Sequence, residues 1–125
     1  MSAAAGRDSE RPDSETLARR LASLADSKKA SDVVALDVRG LVGYTDFLVI
    51  CTARNERQAA AIYEEVHQRL KQEDGVLPAS VEGGIEARWV LMDYQDCIVH
   101  IFTPDARAFY RLEQLWGEAP ARSVG

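Results

Sequence analysis

The groups in this sequence able to hold a metal, attack a carbon or phosphorus centre, or move a proton are two histidines, two cysteines and a scatter of carboxylates. His67 stands between Val66 and Gln68 in a stretch with helical spacing and reads as a surface or boundary residue. His100 sits inside the apolar run Cys97-Ile98-Val99-His100-Ile101-Phe102, where an imidazole must find a hydrogen-bond partner or reach a surface. Neither has another His, Cys or carboxylate at zinc-ligand spacing within its own element, so no metal centre is expected. Cys51 and Cys97 lie in the apolar runs Ile50-Cys51-Thr52 and Asp96-Cys97-Ile98, without a CxxC spacing, and read as small core residues of a reducing compartment. Glu82-Gly83-Gly84 is too short to cradle a pyrophosphate, and no G-x-S-x-G elbow presents a nucleophile. No cofactor is expected.

One enzymatic reading keeps some support. Thr45-Asp46 at the start of an apolar run fits the opening of a nucleotidyltransferase-like fold, whose chemistry needs two carboxylates one residue apart on a strand to hold magnesium beside phosphates. Here Asp46 is followed by Phe47 and Leu48, and Asp93 supplies only a distant second carboxylate, so Asp46 reads as a strand-end cap or surface residue. A magnesium-dependent nucleotidyltransferase-like enzyme is the alternative; a non-enzymatic binding protein is the leading reading. Its candidate surface is the strand Arg88-Trp89-Val90-Leu91-Met92-Asp93-Tyr94. Trp89, Leu91 and Asp93 share one face of it, and Val90, Met92 and Tyr94 the other. One face can pack on helices; the second must be covered by another element or another molecule, and tryptophan is enriched at binding hot spots.

These residues need a scaffold, and 125 residues are enough for one domain with one core. Asp13 or Ser14 caps a first helix with Leu17, Ala18, Leu21, Leu24 and Ala25 on one stripe. Two strands follow, Val33 to Val38 and Phe47 to Cys51, separated by the glycines of Arg39-Gly40-Leu41-Val42-Gly43 and both expected to be central. Asn55 with Gln58 resembles a capping box opening a helix to about Glu73, with Ala59, Ile62, Val66 and Leu70 inward and Asp74-Gly75 as its end. Val76 to Val81 contains Pro78, which makes any strand there short or an edge. The Trp89 strand and Cys97 to Phe102 flank Gln95-Asp96 as an antiparallel hairpin. Thr103-Pro104 then opens a short helix with Ala108, Phe109, Leu112 and Trp116 as its apolar positions. The order αββαβββα predicts a single α/β (α+β) domain, a mixed sheet of about five strands flanked by helices, over residues 13–117, with disordered tails at 1–12 and 118–125.

Twenty acidic against fifteen basic residues leave a formal charge of −5, which opposes wrapping by a phosphate polymer. Little direct RNA contact is therefore expected. Two local basic pairs, Arg54 with Arg57 and Arg107 with Arg111, are the places where RNA could be touched, although such pairs usually form solvated helix faces. No apolar run is long enough to span a membrane, and the polar start lacks a signal core, so a cytoplasmic protein is expected.

The blocks Asp32 to Val38, Thr45 to Thr52, Arg57-Gln58, Glu82-Gly83, Trp89 to Tyr94, Asp96 to Phe102 and Arg107 to Trp116 resemble, in order, the ribosomal silencing factor family, also called Iojap-like. The resemblance runs from about Ser14 to Trp116. It implies a nucleotidyltransferase-like topology without the catalytic carboxylates, and a homodimer. It further implies binding to the large ribosomal subunit through ribosomal protein fourteen, which sterically blocks joining of the small subunit and represses translation; a part in large-subunit biogenesis is also implied. The contact residues it implies are Trp89, Leu91, Asp93, Tyr94, His100, Arg107 and Tyr110. Three positions depart from the family pattern: Ala53 and Asn55 stand where Gly and Ser are frequent, and Gln95 where a hairpin glycine is common. Because Gln95 is ill-suited to a positive φ, the type of that turn is left open.

Overall fold

The computed structural model describes residues 12–83, 88–110 and 121–123. Helix α1, Ser14–Ser27, starts where the Asp13 carboxylate accepts the Thr16 N–H at 2.8 Å, and it buries the stripe Leu17, Leu21 and Leu24 with three alanines between. Strand β1, Ser31–Asp37, turns back through the glycine-bearing loop into β2, Phe47–Thr52. Helix α2, Glu56–Arg69, is capped by Asn55, whose Oδ1 accepts the Gln58 N–H at 2.8 Å. Its last turn widens into a π-turn, Leu70–Asp74, and Gly75 takes the left-handed conformation (φ 67°) that stops it. Then come β3, Ser80–Glu82, β4, Trp89–Asp93, β5, Cys97–Phe102, helix α3, Pro104–Tyr110, and β6, Ala121–Ser123.

The result is an α+β domain with a mixed sheet in the order β3-β4-β5-β2-β1-β6. Only β2 and β5 run parallel; the other four pairings are antiparallel. Every residue of β2 and β5 is buried, as expected of central strands covered on both faces. Short β3 lies at an edge, where the proline just before it costs no ladder bond.

One expectation needs correcting here. The sheet has a sixth strand, because Ala121–Ser123, within the stretch read as a tail, pairs with Leu36, Ala35 and Val34 of β1. Three residues at a sheet edge pair through main-chain bonds that no side-chain pattern encodes. With this strand beside it, β1 is an inner strand, as expected. Leu112 and Trp116 of the expected last helix, Arg111, and residues 1–11 lie outside the described residues.

One sheet face packs on α1 and α2 in a continuous core that includes Val49, Ile62, Val66, Val90, Met92, Tyr94, Val99 and Ile101. The opposite face carries a second cluster, Leu36, Val38, Leu48, Ile50, Ile98, Phe102 and Ala106, with Trp89 and Leu91 packed against it. No helix among the described residues is long and apolar enough to cross a membrane.

Candidate docking surface

Strand pleating decides which β4 side chains can meet a partner. Val90, Met92 and Tyr94 point to the helix-covered face and are buried, whereas Trp89, Leu91 and Asp93 on the other face are half-buried. The β4–β5 register sets Trp89 opposite Phe102 and Leu91 opposite His100. Three rings therefore gather: Trp89 and Phe102 lie 5.0 Å apart between centroids, Trp89 and His100 5.8 Å, and His100 and Phe102 6.0 Å at an interplanar angle of 8°.

A hydrogen bond orients the cluster. The Trp89 indole N–H donates to His100 Nδ1 at 3.0 Å. Since an indole can only donate, Nδ1 carries no proton and the single imidazole proton is on Nε2. Burial pushes the imidazole pKa from 6.5 down to about 4, so this ring is neutral at physiological pH and remains an acceptor. The expected need of His100 for a polar partner is met by tryptophan, which leaves the half-exposed indole in one orientation.

Trp89 also forms one wall of a cleft of about 500 Å³ lined by Arg88, Asp105, Ala106 and Phe109. The opposite wall is α3, and main-chain and side-chain bonds hold it in place. Thr103 N–H donates to the Arg88 carbonyl at 2.9 Å, and Arg107 Nη1 donates to the Asp32 carbonyl and to Thr52 Oγ1, both at 2.8 Å. Phe109 projects from this wall with 78% of its surface exposed. An apolar cleft with an oriented indole, a protruding phenyl ring and a few charges at the rim is suited to taking a protein side chain or loop.

Trp89, Leu91 and His100 are thus brought together on one face. Asp93 shares their face, opposite Ile98, but its Oδ1 accepts the Gln95 N–H at 2.7 Å and braces the hairpin turn. Tyr94 requires correction: it is buried on the helix side, with no exposed surface, and has nothing to offer a partner directly. Burial also raises its hydroxyl pKa. The alternation along the strand already grouped Tyr94 with Val90 and Met92. Arg107 acts as the brace of α3. Tyr110 ends that helix, and its side chain lies outside the described residues.

Of the α3 apolar residues it is Ala106 that packs under the helix, while Ala108 and Phe109 are exposed. A seven-residue helix has too few turns for periodicity to tell which side faces the sheet. The open question at the hairpin is answered as well. Gln95 adopts φ 75°, and the Asp96 N–H donates to the Tyr94 carbonyl at 2.9 Å, the geometry of a γ-turn centred on Gln95.

Around the enzymatic alternative, the N–H groups of Asp46 and Phe47 both donate to the Asp96 carbonyl, at 2.9 and 3.2 Å, which places Asp46 as the lead-in to β2. Among the described residues, no group of three or more His, Cys, Asp or Glu is placed to hold a metal ion. Cys51, wholly buried, has its thiol pKa pushed up to about 12 by burial, far from a reactive thiolate.

Comparison with known proteins gives a consistent result. The sequence model of the family described as "ribosomal silencing factor during starvation" matches residues 11–124. A ribosomal silencing factor from Halalkalibacterium halodurans is 46% identical over 95 residues, 76% of this chain and 80% of that protein. One from Bacillus subtilis is 41% identical over 99 residues, 79% of this chain and 83% of the relative. Among solved structures, a crystal structure of a Chromobacterium violaceum protein superposes with a TM-score of 0.76 at 31% identity, covering 82% of this chain and 85% of the other.

Proposed function

The chain belongs to the ribosomal silencing factor family, and from that premise we propose that it docks on the large ribosomal subunit through ribosomal protein fourteen and blocks joining of the small subunit. Repression of translation is steric in this reading: the bound domain occupies space that the small subunit requires, and no bond is made or broken. The protein works in the cytoplasm without a catalytic centre or cofactor, and it self-associates as a homodimer. A part in large-subunit biogenesis would use the same contact.

The observation that carries the proposal is the Trp89 cleft. Its indole is half-exposed, held by His100 and set beside the protruding Phe109. A large, pre-oriented aromatic group loses little conformational freedom on binding, and such groups dominate interface energies. Trp89→Ala should weaken cosedimentation with purified large subunits about thirtyfold, equivalent to about 2 kcal/mol, with the circular dichroism of the fold retained. Undiminished binding by the folded variant would remove the cleft from the interface. The enzymatic alternative has no comparable observation in its favour.

A further inference from the structure

Away from the Trp89 face, a second cleft of about 350 Å³ lies between the α1–β1 turn and the start of α2, lined by Lys28, Lys29, Arg54, Asn55, Arg57, Gln58 and Ala61. Four of these seven residues are cations, in a chain whose formal charge is −5. Several other cations are neutralised internally: Arg19 pairs with Glu15, Arg20 with Glu73 and Asp74, Arg39 with Asp37, and Arg69 with Glu65 and Glu73. Lys28, Lys29, Arg54 and Arg57 make no ion pair among the described residues, and all four are exposed. The nearest acidic residue in sequence, Glu56, is outside the cleft lining.

The cluster is built by one side chain. Gln58 is 8% exposed; its Oε1 accepts the Arg54 N–H at 2.6 Å and its Nε2 donates to the carbonyls of Lys28 and Lys29, each at 3.1 Å. A single buried amide therefore pins two cation-bearing segments together. Lys29 adds an independent sign. It stands at the left-handed position that ends α1, with φ 65°, and the following Ala30 N–H closes back on the Ala25 carbonyl at 3.2 Å. Glycine takes that position without strain, so the lysine holds a charge where conformational preference opposes it.

We propose that this cleft seats the phosphodiester backbone of ribosomal RNA, giving the docked protein a second, electrostatic contact; the proposal rests on the ribosome-docking reading above. Phosphate is the ligand that fits several unpaired lysines and arginines around an open cleft. None of the described lining residues is aromatic, so nothing there would stack a nucleobase, and the backbone is favoured over a free nucleotide. The overall negative charge still opposes wrapping, which confines RNA contact to this one place.

The test replaces all four cations, Lys28→Gln, Lys29→Gln, Arg54→Gln and Arg57→Gln, and leaves Gln58 intact. Affinity of the full chain for purified large subunits is measured between about 50 and 200 mM salt. The variant's log–log salt slope should shrink by about two, and its affinity should fall about tenfold at intermediate salt, whereas Trp89→Ala weakens binding with the slope preserved. An unchanged slope in the folded variant would overturn the proposal. If the unaltered protein fails to bind subunits at all, the docking reading fails on its own. Retention on a free ribosomal RNA duplex at low salt then decides about the cleft: loss of retention in the variant supports it, and equal retention overturns it.

Discussion

The two faces of the β4–β5 hairpin use the same strand for opposite purposes. On one, Val90, Met92 and Tyr94 are sealed into the core with the stripes of α1 and α2. On the other, one residue along at each step, Trp89 and Leu91 rest on the second cluster and keep part of their surface open, with the neutral His100 beneath the indole. A period of two lets neighbouring residues serve the core and the open surface separately, so the proposed docking face can change without dissolving the core.

Truncating adjacent residues of β4 should give unequal losses. Met92→Ala leaves a cavity in a fully buried site and should cost about 3 kcal/mol in urea unfolding. Leu91→Ala, half-buried, should cost about 1 kcal/mol and act mainly on ribosome affinity. Equal stability losses would mean that the faces are not divided in this way.

The buried histidine sharpens the same contrast through pH. The folded chain keeps His100 neutral down to about 4, while the unfolded chain takes a proton near the ordinary 6.5. Below that ordinary value the unfolded state therefore binds more protons, and stability falls as pH drops through the window from 6.5 toward 4. The loss attributable to this ring should reach about 2 kcal/mol by roughly pH 5. Unfolding titrations of the unaltered chain and of His100→Gln should diverge by that amount over the window; parallel curves would place the ring in a wetter setting than the one seen.

The smallest effect is at the tip joining the two strands. Gln95 holds φ 75° at a cost that glycine does not incur. Gln95→Gly should raise stability by about 0.5 to 1 kcal/mol and leave docking unchanged. A loss of stability would show that the side chain, not the backbone, is what matters at the tip.

Much of this was legible in the residue order. The unbroken apolar run of β2 announces a central strand, and the alternation along β4 separates the two faces correctly. Tyr94 entered the contact set through family resemblance against that alternation, and the structure sides with the alternation. Strand β6 escaped because main-chain pairing of Ala-Arg-Ser leaves no periodic trace. Phe109 escaped because the orientation of a short helix is set by Arg107 reaching Asp32 and Thr52, contacts 75 and 55 residues away in sequence. The pair Arg54 and Arg57 was visible as a basic patch, but Lys28 and Lys29 join it only through hydrogen bonds of Gln58 that span 30 and 29 residues.

In the proposed reading, the Trp89 face lets this domain occupy the ground between the ribosomal subunits. Light scattering of purified large and small subunits, mixed at a magnesium concentration that permits joining, measures it directly. The protein, preincubated with large subunits, should suppress the association signal in a dose-dependent way, and folded Trp89→Ala should need about thirtyfold more to do so. Subunits that join to the same extent in the presence of saturating protein would contradict it.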